Sequence, residues 1–138
     1  MLNKKRNILI VDDALEDIAL LTRNIQQIPD EFSYQIYNAK DRDEAMKHYA
    51  NNQIDCAFVD YYMPIENGAE LTEFLFNLPS HRQSYTKLPV IIMSSKQEIE
   101  ELPINDDVKR STLICSKKDL TSPLKLRVII DKITPSNY

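Results

Sequence analysis

Glycine is nearly missing from this chain. Gly68 is the only one among 138 residues. A lone glycine belongs where no side chain fits, at a positive φ or a close backbone approach. Cysteine is also scarce. Cys56 and Cys115 each sit inside a short apolar run and have no partners at metal-ligand spacing, which excludes a disulfide framework or thiolate metal site and leaves two buried thiols. Long apolar runs are absent as well. The longest span four or five residues, too few for a bilayer crossing. The basic start, Lys4 to Arg6, is followed by four apolar residues and then two acids, so no secretory leader is expected and the chain is expected to stay in the cytoplasm. Nor is there an excess of positive charge. The net charge of −4 gives no electrostatic footprint for nucleic acid or an anionic membrane. Repeats, low-complexity tracts and long linkers are missing too, so residues 1–138 are expected to form one domain with no output module.

What is present is an alternation. Ile8–Val11, Ala57–Val59, Pro89–Met93 and Thr112–Cys115 are continuous apolar runs, the pattern of strands covered on both faces of a parallel sheet. Phe32–Tyr37 alternates instead, as an edge strand does. Helical spacing links Ile18, Leu21, Ile25 and Ile28, stopped by Pro29. Asp41 and Glu44 predict a capping box before a helix whose inner face is Ala45, Met46 and Tyr49. Leu71, Phe74, Leu75 and Leu78 form a third stripe ending at Pro79. Ser122 and Pro123 open a last helix carrying Leu126, Ile129, Ile130 and Ile133. Lys96–Arg110, divided by Pro103 and dense in acids, predicts only a short or irregular helix. Strands alternating with helices imply a doubly wound α/β sheet.

Ligands of such a sheet bind beyond the carboxyl ends of its strands. Strand one ends in Asp12 and Asp13, strand three in Asp60, strand four in Ser94 and Ser95, strand five in Ser116 and Lys117. Carboxylates, hydroxyls and an amine thus converge on one rim. Clustered carboxylates call for a cation, and an oxygen-only, partly open site suits Mg²⁺. Mg²⁺ favours phosphate oxygens as further ligands, a lysine supplies a point charge for them, and a carboxylate can be the nucleophile that becomes an aspartyl phosphate. Taken singly, Asp12 and Asp13 fit a helix cap, Asp60 a turn and Lys117 a solvated strand end; jointly they define a site. His48 and His81 are expected at the surface with no ligand role, and Tyr61 and Tyr62 at the site's edge.

In this arrangement the chain resembles the receiver domain of response regulators in two-component signalling, the CheY-like superfamily. The run from Asp60 through Met63, Pro64, Gly68 and Glu70 to Leu71 is similar to the family's D-x-x-M-P-x-x-x-G-x-E-L acceptor loop, and the one glycine falls on the loop's glycine. The resemblance implies a flavodoxin-like (βα)5 fold with strand order 2-1-3-4-5. It implies that Asp60 is the phospho-acceptor, and that Asp13 and Asp60 bind Mg²⁺ directly, Asp12 through water, with the Tyr62 backbone carbonyl completing the protein ligands. It makes Ser94 the switch hydroxyl and Lys117 the phosphate-binding lysine. The phosphoryl donor would be a phosphohistidine on a sensor histidine kinase or phosphotransfer protein, and a downstream protein target would receive the signal. Such a domain catalyses its own phosphorylation and dephosphorylation and is not an enzyme in the usual sense.

Three departures from the family pattern carry consequences. Lys118 stands where proline is common, and Ile114 stands at the switch aromatic of strand five, so the usual ring movement has no ring to use. Tyr62 and Lys96 flank the route by which water would attack an acyl phosphate, which predicts a long-lived phosphorylated form. Two other functions compete. One is a pseudo-receiver, a phosphorylation-independent interaction module, kept open by Ile114. The other is a small hydrolase with an aspartate nucleophile; those carry a second carboxylate two residues on, where this chain has Tyr62. The sequence leaves open whether the chain forms a homodimer through its last helix.

Overall fold

A computed structural model describes residues 4–63, 68–81, 86–94 and 112–134. In chain order these form β1 (Lys4–Val11), α1 (Leu15–Gln26), β2 (Phe32–Ala39), α2 (Arg42–Asn51), β3 (Cys56–Asp60), α3 (Gly68–Phe76), β4 (Val90–Ser94), β5 (Leu113–Ser116), a 3₁₀ turn (Lys117–Leu120) and α4 (Pro123–Ile133). All strand pairs are parallel, in the order β2-β1-β3-β4-β5. The expected short helix in 96–110, together with Ser95, Lys96 and Pro64, lies outside the described residues. Among the described residues no helix is long and apolar enough to cross a membrane.

Side chains of successive strand residues point to opposite faces, and that rule divides the core in two. Leu9 and Val11, Ala57 and Val59, and Val90 and Ile92 pack on one face with Ala45, Leu71 and Leu75 of α2 and α3. Ile8 and Ile10, Cys56 and Phe58, and Ile91 and Met93 pack on the other with Ile18, Leu21 and Ile25 of α1 and Leu126 and Ile130 of α4. The unbroken apolar runs therefore serve both layers. β5 is half-buried along its length, because it lies at the sheet's edge. Cys115 is accordingly half-buried rather than buried, and both cysteines are free thiols.

The helix boundaries follow local chemistry. The Asp41 side chain accepts from the Glu44 amide at 2.8 Å, but the Glu44 carboxylate accepts from the Lys40 amide at 2.9 Å instead of from Asp41. The expected box is thus closed one residue earlier. Ser122 caps α4 by accepting from the Lys125 amide, with Pro123 in the first turn. β1 begins four residues before its apolar run, since Lys4–Asn7 pair with Phe32–Gln35 of β2. Arg6 is buried there: it donates to Tyr34 Oη at 3.2 Å and Asp131 Oδ1 at 2.9 Å and lies 3.7 Å over the Phe32 ring. The histidines are more engaged than expected. His48 Nε2 lies 2.8 Å from the Asn38 carbonyl, while His81 Nδ1 accepts from the Ile54 amide at 2.8 Å and stacks on Tyr49.

Candidate functional site

Strand register brings the polar strand ends to one level. Val11 pairs with Val59, Asp60 with Met93 and Ser94 with Ser116. Asp12 and Asp13 therefore follow β1 beside Asp60, with Ser94 ending β4 and Lys117 opening the 3₁₀ turn after β5. Oxygens of Asp12, Asp13 and Asp60 lie within 4.8 Å of one another. Asp12, Asp60 and Ser94 are buried, while Asp13 is half-buried.

Asp12 and Asp60 are each fixed by backbone. Asp12 accepts from the Ala14 amide at 3.0 Å, an Asx-type turn that starts α1, whose N-cap residue Ala14 offers no side chain for the purpose. Asp12 thus acts in the turn as well as in the site. Asp60 ends β3, where the Tyr61 amide continues the ladder to Met93 and the Tyr62 amide donates to Asp60 Oδ1 at 3.2 Å. The Tyr62 backbone is therefore at the site. Its ring is exposed and meets Tyr61 edge-on at 4.9 Å.

Lys117 Nζ reaches Asp17 at 2.7 Å, Asp12 at 3.0 Å and Asp60 at 3.4 Å. Burial pushes the Asp60 carboxyl above its ordinary value and the charge of Asp12 adds to this, while Lys117 and the Tyr62 amide oppose it. For Lys117, burial works against the charge, but its hydrogen bonds to Asp17 and Asp12 and the charge of Asp60 outweigh that penalty, so it is held more firmly protonated than a free lysine. One ammonium thus faces several acids. Oxygen donors from three carboxylates at this spacing suit a hard divalent cation, so the donor set fits a metal of the Mg²⁺ type.

Lys118, in the place of proline, has a use of its own. Its amide donates to Ser116 Oγ at 3.3 Å and caps the 3₁₀ turn, a bond proline cannot make. The Ser116 hydroxyl accordingly serves the turn. Ile114 is half-buried and packs against the core on the side of α2 and α3. Sequence reasoning missed Asp17. Its position four residues after Asp13, on the first turn of α1, was the available signal.

Residues 8–105 match the family model of the response regulator receiver domain, and the chain belongs to that family, the receivers of two-component signalling. Response regulator GtcR of Aneurinibacillus migulanus is 36% identical over 91 residues, covering 66% of this chain and 33% of GtcR. The cyclic di-GMP phosphodiesterase response regulator RpfG of Xanthomonas campestris pv. campestris (strain 8004) is 32% identical over 88 residues, covering 64% of this chain and 22% of RpfG. The chain spans a third or less of the length of these curated relatives. Among solved structures, the chemotaxis response regulator CheY4 of Vibrio cholerae superposes with a TM-score of 0.70 at 18% identity, covering 94% of this chain and 99% of CheY4. The phosphorylated cyanobacterial phytochrome response regulator RcpA gives 0.65 at 20% identity, covering 94% and 91%. At these identities the structural likeness speaks for the shared fold.

Proposed function

We propose that this chain is a phospho-receiver that takes a phosphoryl group on Asp60 and signals through changed protein binding. The observation that carries the reading is the Asp60 carboxylate, buried at the end of β3 within 4.8 Å of two further acids and 3.4 Å from a lysine ammonium. A carboxylate oxygen of Asp60 attacks phosphorus, the P–O bond forms, and the P–N bond of a phosphohistidine breaks with its electron pair left on the imidazole. Lys117 supplies positive charge for the phosphoryl oxygens, and Ser94, at the end of β4, supplies the hydroxyl that meets one of them. Asp12, Asp13, Asp60 and the Tyr62 carbonyl would hold Mg²⁺, which neutralises charge on the transferring group. The donor is a sensor histidine kinase or phosphotransfer protein, and the chain turns over no other substrate.

Incubation with acetyl phosphate and Mg²⁺, followed by intact mass spectrometry, tests this. A single phosphoryl adduct is expected on the wild type and none on Asp60→Asn. A wild type without an adduct, or an adduct surviving the substitution, overturns the reading; the former leaves the interaction module that Ile114 keeps open.

A further inference from the structure

The shortest contact of the site lysine is to a residue outside the acid cluster. Lys117 Nζ lies 2.7 Å from Asp17 on α1 and 3.4 Å from Asp60. Its surroundings limit where the amine can go: a small cavity of about 40 Å³ beside it is lined by Asp12, Asp17, Leu20, Leu21, Met93 and Leu120, among others. Resting on the reading of Asp60 as acceptor, we infer that Asp17 is a positioning residue: it holds the Lys117 ammonium toward α1 in the resting chain and gives it up when Asp60 carries a phosphoryl group.

Competition for one charge decides which contact gives way. A phosphoryl group on Asp60 adds anionic oxygens beside an ammonium that already has three carboxylate neighbours. The contact to Asp60 is the longest of the three, at 3.4 Å, so for Lys117 to bond those oxygens at hydrogen-bond distance the ammonium must move toward β3 and loosen a contact on its other side. Asp12 is buried, with Oδ1 braced by the Ala14 amide, so taking the ammonium from its other oxygen, Oδ2, would leave a buried acceptor that water reaches poorly. Asp17 is about half exposed, so water can replace the ammonium at low cost. The tether that breaks is therefore the one to α1. This link also bypasses strand five, where Ile114 has replaced the ring that the family uses.

The test compares wild type, Asp17→Asn, Asp17→Glu and Glu16→Gln, all labelled with ¹⁵N-lysine. Glu16 is an exposed acid in the same helical turn, so its substitution removes the same charge without touching the tether. In metal-free, unphosphorylated protein the Lys117 side-chain signal should move and its ammonium protons exchange faster in Asp17→Asn, with Asp17→Glu and Glu16→Gln close to wild type. With acetyl phosphate and Mg²⁺, Asp17→Asn should reach half-maximal phosphorylation at a two- to fivefold lower donor concentration, on the order of one exposed ion pair. If Asp17→Asn and Glu16→Gln behave alike in both measurements while wild type is phosphorylated on Asp60, the inference alone is overturned. If no variant and no wild type takes a phosphoryl group, the acceptor reading falls and this inference with it.

Discussion

Asp60→Asn should make the metal-free protein more stable at neutral pH, although it alters a buried, hydrogen-bonded residue. The substitution keeps an acceptor for the Tyr62 amide, which bonds Oδ1, and replaces the oxygen that faces Lys117 at 3.4 Å by an NH2 group, a contact that Lys117 gives up while it keeps Asp17 and Asp12. Two unit charges 4.8 Å apart repel by about 3.5 kcal/mol at an effective dielectric constant of ~20, and an opposite pair at 3.4 Å attracts by about 5 kcal/mol. Asp60 has two acidic neighbours within that distance and one ammonium, so repulsion reaches about 7 kcal/mol against about 5. Solvent around the half-buried Asp13 trims the repulsion, and burial of Asp60 adds a desolvation cost back. The charge of Asp60 therefore destabilises the fold by about 1–2 kcal/mol, which corresponds to about 3–7 °C in Tm for a chain of this size.

The pH dependence has a definite sign. Because the folded-state value of Asp60 is raised above 3.8, the folded chain binds the proton more tightly than the unfolded chain does. Stability from this group is complete below the unfolded value and is lost as pH rises through the folded one. The advantage of Asp60→Asn should thus be full at pH 7 and fade on acidification toward 3.8. Thermal unfolding in chelator at a series of pH values measures it. Saturating Mg²⁺ should invert the order, since a ligand at a hundred times its Kd adds about 2.7 kcal/mol to the form that binds it. A variant less stable than wild type at pH 7 in chelator, or a gain that ignores pH, would refute the electrostatic account.

Arg6→Ala should cost about 3 kcal/mol, because the buried guanidinium serves Tyr34, Asp131 and the Phe32 ring together, whereas Arg6→Met should recover most of that by refilling the space; urea unfolding that finds the two variants equal would show that packing is not the larger part. Tyr62→Asn should speed loss of the phosphoryl group by about tenfold, equivalent to ~1.4 kcal/mol of barrier, if the exposed ring screens the acceptor from water. Decay of the adduct after donor removal measures this, and equal lifetimes would dispose of the screening role.

The layered fold was legible because each apolar run carries two alternating sets of side chains, and both sets found helices to cover them. What escaped was polar. Lys4–Asn7 extend β1 with three cations and an amide, which β-pattern reasoning discounts, and Arg6 is buried only because Tyr34 and Asp131, the latter 125 positions away, accept its hydrogen bonds. Burial of a cation is set by partners that no local window contains. The capping of α2 shows the same limit at short range: Asp41 was predictable as the cap, but the choice of Lys40 as the amide that Glu44 serves depends on the path by which β2 enters the helix.

The site divides along the same line. Asp12, Asp13, Asp60, Ser94 and Lys117 could be placed on one rim because a polar residue ending a buried strand has nowhere else to be. The partner that Lys117 prefers could not. Its three acceptors lie at 2.7, 3.0 and 3.4 Å, and differences of that order correspond to free energies near 1 kcal/mol once solvent is included. Periodicity distinguishes faces of a sheet, which differ by the burial of whole side chains; it does not distinguish neighbouring carboxylates separated by a few tenths of an ångström. That narrow margin is also what a receiver requires. A lysine bound to one acid by many kcal/mol could not change partners when a phosphoryl group arrives, so near-degeneracy among the resting contacts is the physical condition for switching at all.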